Sequence, residues 1–432
     1  MNLEGWQKAG DSLEYLASAI FQSQGFLVRR SVPFQLGTGI DITDVDVFGV
    51  KFVYPFQPVT LICDCRDRDR SQVTGRIFWA KGLGQFLGTS EVYVASKSAR
   101  IEIVHFAREH GVRVLTLQVL REFISQHSAT NPRAFGHANA RVMDPLNRSI
   151  ANVSKYDSTA KAHVAFSKAA IRSNSPFEDF NVMMEQIDNA SRILIGLGSK
   201  PSETRTAWVY ILTEYVIALS VHFLYICGDS LTLGKANRRQ YIVERLTYGS
   251  LSKSQAETIY NSTMEYAEEA LASDSLAGGR RRLPRAASFF RPPSYADDVA
   301  GLVERAIANP RMYHSLPQVL DYILYENSVG SGQTNQDAFW ETFPGLFGVD
   351  PLRATRNLFA FLRSHTNFTQ SLITLSAGEP GIKMTTQDLN VAPNPIHADN
   401  SSSHSDPIVE VDRNQNALFI DLDATPPQRS EQ

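Results

Sequence analysis

Cysteine is scarce in this chain. Three cysteines in 432 residues, two of them at 63 and 65 and the third at 227, exclude a disulfide framework and a cysteine-built structural zinc site, and fit a reducing cytoplasm. Charge of one sign is also lacking. With 42 Lys+Arg against 45 Asp+Glu and a net charge of −3, no wholesale basic surface exists, so nucleic-acid binding would have to come from a local patch. The first residues, MNLEGW, carry neither a basic segment nor an apolar core of a secretory signal, and none is expected. There is no glycine-rich phosphate loop ending in Lys-Ser/Thr, no dinucleotide fingerprint and no Ser-His-Asp signature. Long apolar runs are almost absent too. The one exception, residues 207–227, approaches the ~20 residues that cross a bilayer. Glu214 and His222 interrupt it, and because such residues are costly in lipid, a buried core helix is the expected reading and no membrane association is expected.

The length exceeds what one hydrophobic core usually serves, so two domains are expected. Residues 1–125 alternate helix-like and strand-like patterns: an amphipathic helix over 10–24, strands near 26–32, 44–49 and 60–66, then helix, strand, helix, strand. That order predicts an α/β unit with a mixed sheet flanked by helices. Residues 126–175 are rich in Ser, Asn, Ala and Pro and read as a linker with one short helix near 159–171. Residues 176–376 read as a mostly α-helical domain interrupted by a basic loop at 278–293, and 377–432 as a largely disordered tail.

The informative stretch is TLICDCR, residues 60–66. Side chains in a strand repeat every two residues, so Leu61, Cys63 and Cys65 share one face, and Ile62, Asp64 and Arg66 share the other. In DVDVFG, residues 44–49, Asp44 and Asp46 project together while Val45 and Val47 turn to a core. Pairing the two strands brings Asp46 beside Asp64 and Arg66. Phosphodiester hydrolysis needs neutralised phosphoryl oxygens, an activated water and a stabilised leaving oxygen, which Mg²⁺ or Mn²⁺ held by carboxylates supplies. Asp46, Asp64, the Cys65 backbone carbonyl and Glu14 from the first helix are the candidate ligands. The plainer reading of Asp46 and Asp64 is a pair of strand-end acids bound to nearby arginines, and of Glu14 a surface helix charge.

This arrangement resembles the PD-(D/E)XK nuclease superfamily and its Mrr-like restriction endonuclease branch, over residues 8–120. Leu13-Glu14-Tyr15-Leu16 matches the family's Glu-bearing helix, Asp44-Val45-Asp46-Val47 its Asp strand, and Cys63-Asp64-Cys65-Arg66 stands where Glu-Cys-Lys would. The run 92–96 and the run 106–112 match the strand and helix that follow. The resemblance implies a restriction endonuclease-like fold, with Glu14, Asp46, Asp64 and Arg66 as catalytic residues of a Mg²⁺-dependent DNA endonuclease in bacterial restriction or phage defence. Arg66 departs from the pattern. A guanidinium stays protonated and cannot act as a general base, though it can stabilise a phosphoryl group. The rival expectation is therefore a catalytically degenerate nuclease fold that binds DNA or a protein partner.

Arg68, Arg70, Arg76 and Lys81 follow the Asp64 strand and are the candidate contacts to a nucleic-acid backbone. Lys81 also offers a substitute for the missing strand lysine, against the plainer reading of a solvent-facing helix residue. The helical domain is the candidate surface for a homodimer or a protein partner. Its His222 and His365, like His110, show no metal-ligand spacing.

Overall fold

The computed structural model describes residues 13–35, 41–66, 73–127, 134–173, 175–200, 202–274, 290–328, 336–346 and 349–369. Helix α1 (Leu13–Ser23) buries Leu13, Leu16, Ala17, Ile20 and Phe21, the i, i+3, i+4 stripe of an amphipathic helix. It stops at Gly25, whose φ of +82° lies in the left-handed region that favours glycine. Strands β1 (Leu27–Gln35), β2 (Asp41–Val53) and β3 (Gln57–Arg66) form an antiparallel meander. Helix α2 (Val73–Leu87) then crosses to β4 (Glu91–Ser96), and α3 (Ile101–Glu109) to β5 (Arg113–Thr116), both pairing parallel. The result is a mixed sheet of five strands in sequential order.

The alternation of β3 sorts its residues between two cores. Leu61, Cys63 and Cys65 pack with Val47, with the apolar stripe of α1 and with Leu120 of α4 (Leu117–His127). Ile62 instead joins Phe48 and Val50 of β2, Val73, Ile77 and Ala80 of α2, and the helical remainder of the chain. Helix α4 was not foreseen.

The segment expected to be a linker is helical. Helices α5 (Ala140–Tyr156) and α6 (Ser158–Ala169) fill it. In α5, Val142, Met143, Leu146, Ile150 and Val153 are buried at helical spacing, a pattern obscured in the sequence by Pro145 and by the polar residues between. Asp157 caps α6 through the Ala160 N–H. Among the described residues one hydrophobic core runs from the sheet through α5 and α6 into the later helices.

The later helices are α7 (Pro176–Leu197), α8 (Glu203–Ser230), α9 (Lys235–Tyr248), α10 (Lys253–Asp274), α11 (Ala296–Ala308), α12 (Pro310–Tyr313), α13 (Leu316–Ser328), α14 (Gln336–Thr342) and α15 (Pro351–His365). Helix α8 is the axis. By length and composition it could cross a membrane, but it is apolar on every side because α5, α6, α7, α9, α11, α13 and β3 surround it. At Gly228 an added Cβ would lie 2.7 Å from the Phe56 carbonyl oxygen, so glycine is what lets α8 seat on the β2–β3 connection. Most of the basic loop and the whole 377–432 tail lie outside the described residues.

Candidate functional site

The β2–β3 ladder ends at Val47–Cys63. Beyond that pair Asp46 replaces backbone as the partner of β3: its Oδ2 accepts the Cys65 N–H at 2.7 Å. Asp64, one residue earlier on β3, is buried, and Arg76 in the first turns of α2 grips its carboxylate with both arms of the guanidinium, Nε to Oδ2 at 2.7 Å and Nη2 to Oδ1. Two-armed pairing of this kind is the strongest that arginine makes with a carboxylate. Arg66 stands on the same side at 3.7 Å from Asp64 and is about half exposed. Trp79 holds the Arg76 guanidinium from behind, 4.2 Å from the ring centre.

Glu14 comes from α1 and meets Arg30 of β1 at 3.9 Å. Arg30 also stacks on the Tyr15 ring at 3.4 Å and donates to the His137 carbonyl. Ser31, between the Arg30–Val47 and Val32–Val45 pairs, takes φ of +51°, a strained value for serine at the point where β1 passes Asp46.

Burial raises the pKa of Glu14, and repulsion from Asp46 raises it further, against the pull of Arg30, Arg66 and Lys168. Burial likewise raises that of Asp46, with repulsion from Asp64 adding to it and the Cys65 N–H, Arg66 and Arg76 opposing. Glu14, Asp46, Asp64 and Arg66 therefore share one electrostatic neighbourhood. The Cys65 thiol does not join it as a nucleophile: its hydrogen bond with Cys63 and its burial push its pKa well up.

The remaining expected contacts divide. Arg76 is present, but bound to Asp64. Lys81 points away, its Nζ resting beside Gly111 at the other end of the sheet, so it substitutes for no strand lysine. The cause is distance, because α2 carries Lys81 more than a turn past Arg76 at 1.5 Å per residue. Arg68 and Arg70 lie outside the described residues. Sequence reading missed Lys168 of α6, which sits within the field of Glu214, Arg30, Asp44 and Glu14. Its segment had read as a short helix within a linker.

These side chains do not fit a divalent cation as arranged. Arg76 takes both Asp64 oxygens and Asp46 spends one oxygen on Cys65. Among the described residues no three His, Cys, Asp or Glu side chains converge at metal-ligand spacing. Four carboxylates here, Glu14, Asp44, Asp46 and Asp64, meet four cations, Arg30, Arg66, Arg76 and Lys168, so the cluster is balanced, and Arg66, half exposed, is the cation open to solvent.

A second charged cluster, also missed from sequence, is sealed inside. Arg29 Nε meets Glu214 of α8 at 2.7 Å and its Nη1 meets Asp321 of α13 at 3.0 Å, with all three side chains at most 1% exposed. Tyr325 donates to Glu214 at 2.5 Å, and His137 lies 3.3 Å from the same oxygen. Burial favours a neutral Glu214, but Arg29, His137 and Tyr325 outweigh it and lower its pKa to about 2. His137 goes the other way, to about 3, because burial and Arg29 disfavour its cation. Gly136 is required here. It has φ of +51°, and a Cβ would lie 2.3 Å from Asp321 Oδ2.

His222 is buried in α8 with its pKa lowered to about 4 by that burial, and His365 pairs with Asp298 at 2.9 Å. Compared with known proteins, the chain matches no family model, no curated protein and no solved structure.

Proposed function

We propose that the sheet end bearing Asp46, Asp64 and Arg66 is a degenerate restriction endonuclease-like site that grips the phosphodiester backbone of DNA and does not cut it. The observation that carries this reading is the two-armed hold of Arg76 on Asp64, with Arg66 standing where the resemblance calls for lysine. Arg66, half exposed and 3.7 Å from Asp64, is the group best placed to meet a phosphate. Arg30 and Lys168 add positive potential behind it. Binding of a short duplex measured by fluorescence anisotropy in EDTA tests this. The wild type should bind, and Arg66→Ala should bind at least several-fold more weakly. Equal affinities would remove Arg66 from the interface.

A second reading, a Mg²⁺-dependent endonuclease of bacterial restriction or phage defence, draws on one observation: Glu14 and Asp46 are both raised in pKa, partly by neighbouring carboxylates, as groups awaiting a cation would be. It requires Arg76 to leave Asp64. Arg66→Lys separates the two readings, because lysine restores the family's cation but leaves Arg76 on Asp64: the degenerate reading expects no cleavage by the wild type or by this variant, and the endonuclease reading expects it in both.

A further inference from the structure

We propose that Lys168 and Arg172, at the C-terminal end of α6, form a second phosphate-binding subsite that continues the backbone contact of nucleic acid beyond the sheet end. The inference rests on the reading above. Helix α6 packs against β1 through one side, burying Ala160, Val164 and Ser167. Lys168 and Arg172 are four residues apart, about one helical turn, and the Arg172 N–H bonds the Ala169 carbonyl past the helix end. The Arg172 guanidinium lies 4.5 Å over the ring of Phe34 near the end of β1, and Lys168 lies in the field of Glu214 first, then of Arg30, Asp44 and Glu14. The subsite thus borders the charged cluster at the sheet end.

Both cations are partly buried, yet neither Nζ of Lys168 nor the Arg172 guanidinium has a hydrogen bond or a carboxylate within 4.0 Å among the described residues. Other partly buried guanidinium groups do have a carboxylate: Arg76 has Asp64, and Arg238 has Glu304 at 2.9 Å. Burial lowers the pKa of both Lys168 and Arg172, the direction expected when a cation is desolvated without sufficient compensation. An anion supplied from outside would provide it. Phosphodiester oxygens are suitable, since lysine meets phosphate as a point charge and arginine through its planar fork.

Duplex DNA and duplex RNA of equal length are titrated in EDTA across a series of KCl concentrations, with the wild type, Lys168→Met/Arg172→Met, Lys168→Arg/Arg172→Lys, Arg66→Ala and, as an exposed control on the same helix, Lys161→Ala. Each phosphate neutralised contributes about 0.9 to the slope of log affinity against log salt. The double Met variant should show a slope shallower by roughly 2 and weaker binding at low salt, while the exchanged pair and the control keep the wild-type slope. A shared loss on DNA and RNA, or a loss on one alone, both support the subsite and say which strand geometry it accepts. An unchanged slope in the Met variant while Arg66→Ala still weakens binding overturns the subsite and leaves the site reading intact. Absence of binding by the wild type to either duplex overturns both. Thermal melts of each variant separate lost contact from lost fold, and a loss that the exchanged pair fails to restore in a fully folded protein also overturns it.

Discussion

Arg29 and Arg30 are neighbours on one strand and serve opposite purposes. Successive strand residues project to opposite sides, so Arg29 enters the sealed cluster with Glu214 and Asp321, and Arg30 the open one with Glu14. In the sealed cluster one guanidinium holds two carboxylates, Glu214 and Asp321, and a phenol and a neutral imidazole close on Glu214. In the open cluster, four acids meet four cations and Arg66 is half exposed. Buried, paired charge fixes one packing of sheet on helices. Charge that reaches solvent is open to a ligand.

The largest test of the contrast is Glu214→Ala. It strands Arg29 in the core, and removing one partner of a buried pair costs roughly 3–5 kcal/mol; urea denaturation should show a midpoint shift of that order with no change in which ligands the folded protein binds. Gly136→Ala comes next, at about 1–3 kcal/mol, because alanine is strained at positive φ and its Cβ would strike Asp321. At the open cluster the sign inverts. Asp64→Ala removes a carboxylate from a phosphate site and frees Arg76, so duplex affinity should rise by a few-fold to tenfold, at a stability cost of about 1–3 kcal/mol because the lost hydrogen bonds are charged and partly buried.

A pH titration sharpens the same contrast. Glu14 and Asp46 have folded pKa values above their ordinary 4.5 and 3.8, so the folded state binds protons more readily than the unfolded one. Their charged forms therefore cost stability at pH above the folded values, and the cost fades as pH falls toward the ordinary values. Duplex binding should tighten over the same descent, and Glu14→Gln/Asp46→Asn should flatten it. Smallest of all, Lys81→Ala at the far end of the sheet should leave duplex affinity unchanged.

Much of the sheet was legible because its signal is local. The alternation in residues 44–49 and 60–66 placed Asp46 and Asp64 at one sheet end, and the stripe of α1 placed Glu14 near them. Their partners were not legible. Arg76 pairs with Asp64 only because of how α2 leaves β3, and the three glycines of α2 weakened even its helical pattern. Lys168 lies on the short helix expected near 159–171 and Arg172 just past its end, but nothing local told that this helix would pack against β1; α5 was disguised as linker by Pro145 and a polar composition. The sealed cluster joins residues 185 positions apart, Arg29 and Glu214, which no local period reveals. Helix α8 was readable as a core helix from Glu214 and His222, but what Glu214 would meet was not.

Incubating supercoiled plasmid with the wild type in Mg²⁺, in Mn²⁺ and in EDTA, with binding to the same plasmid followed by gel shift, is the most direct test. The account predicts a shifted, intact plasmid in all three. Nicking or linearisation that needs the metal and disappears in Asp64→Ala would contradict it.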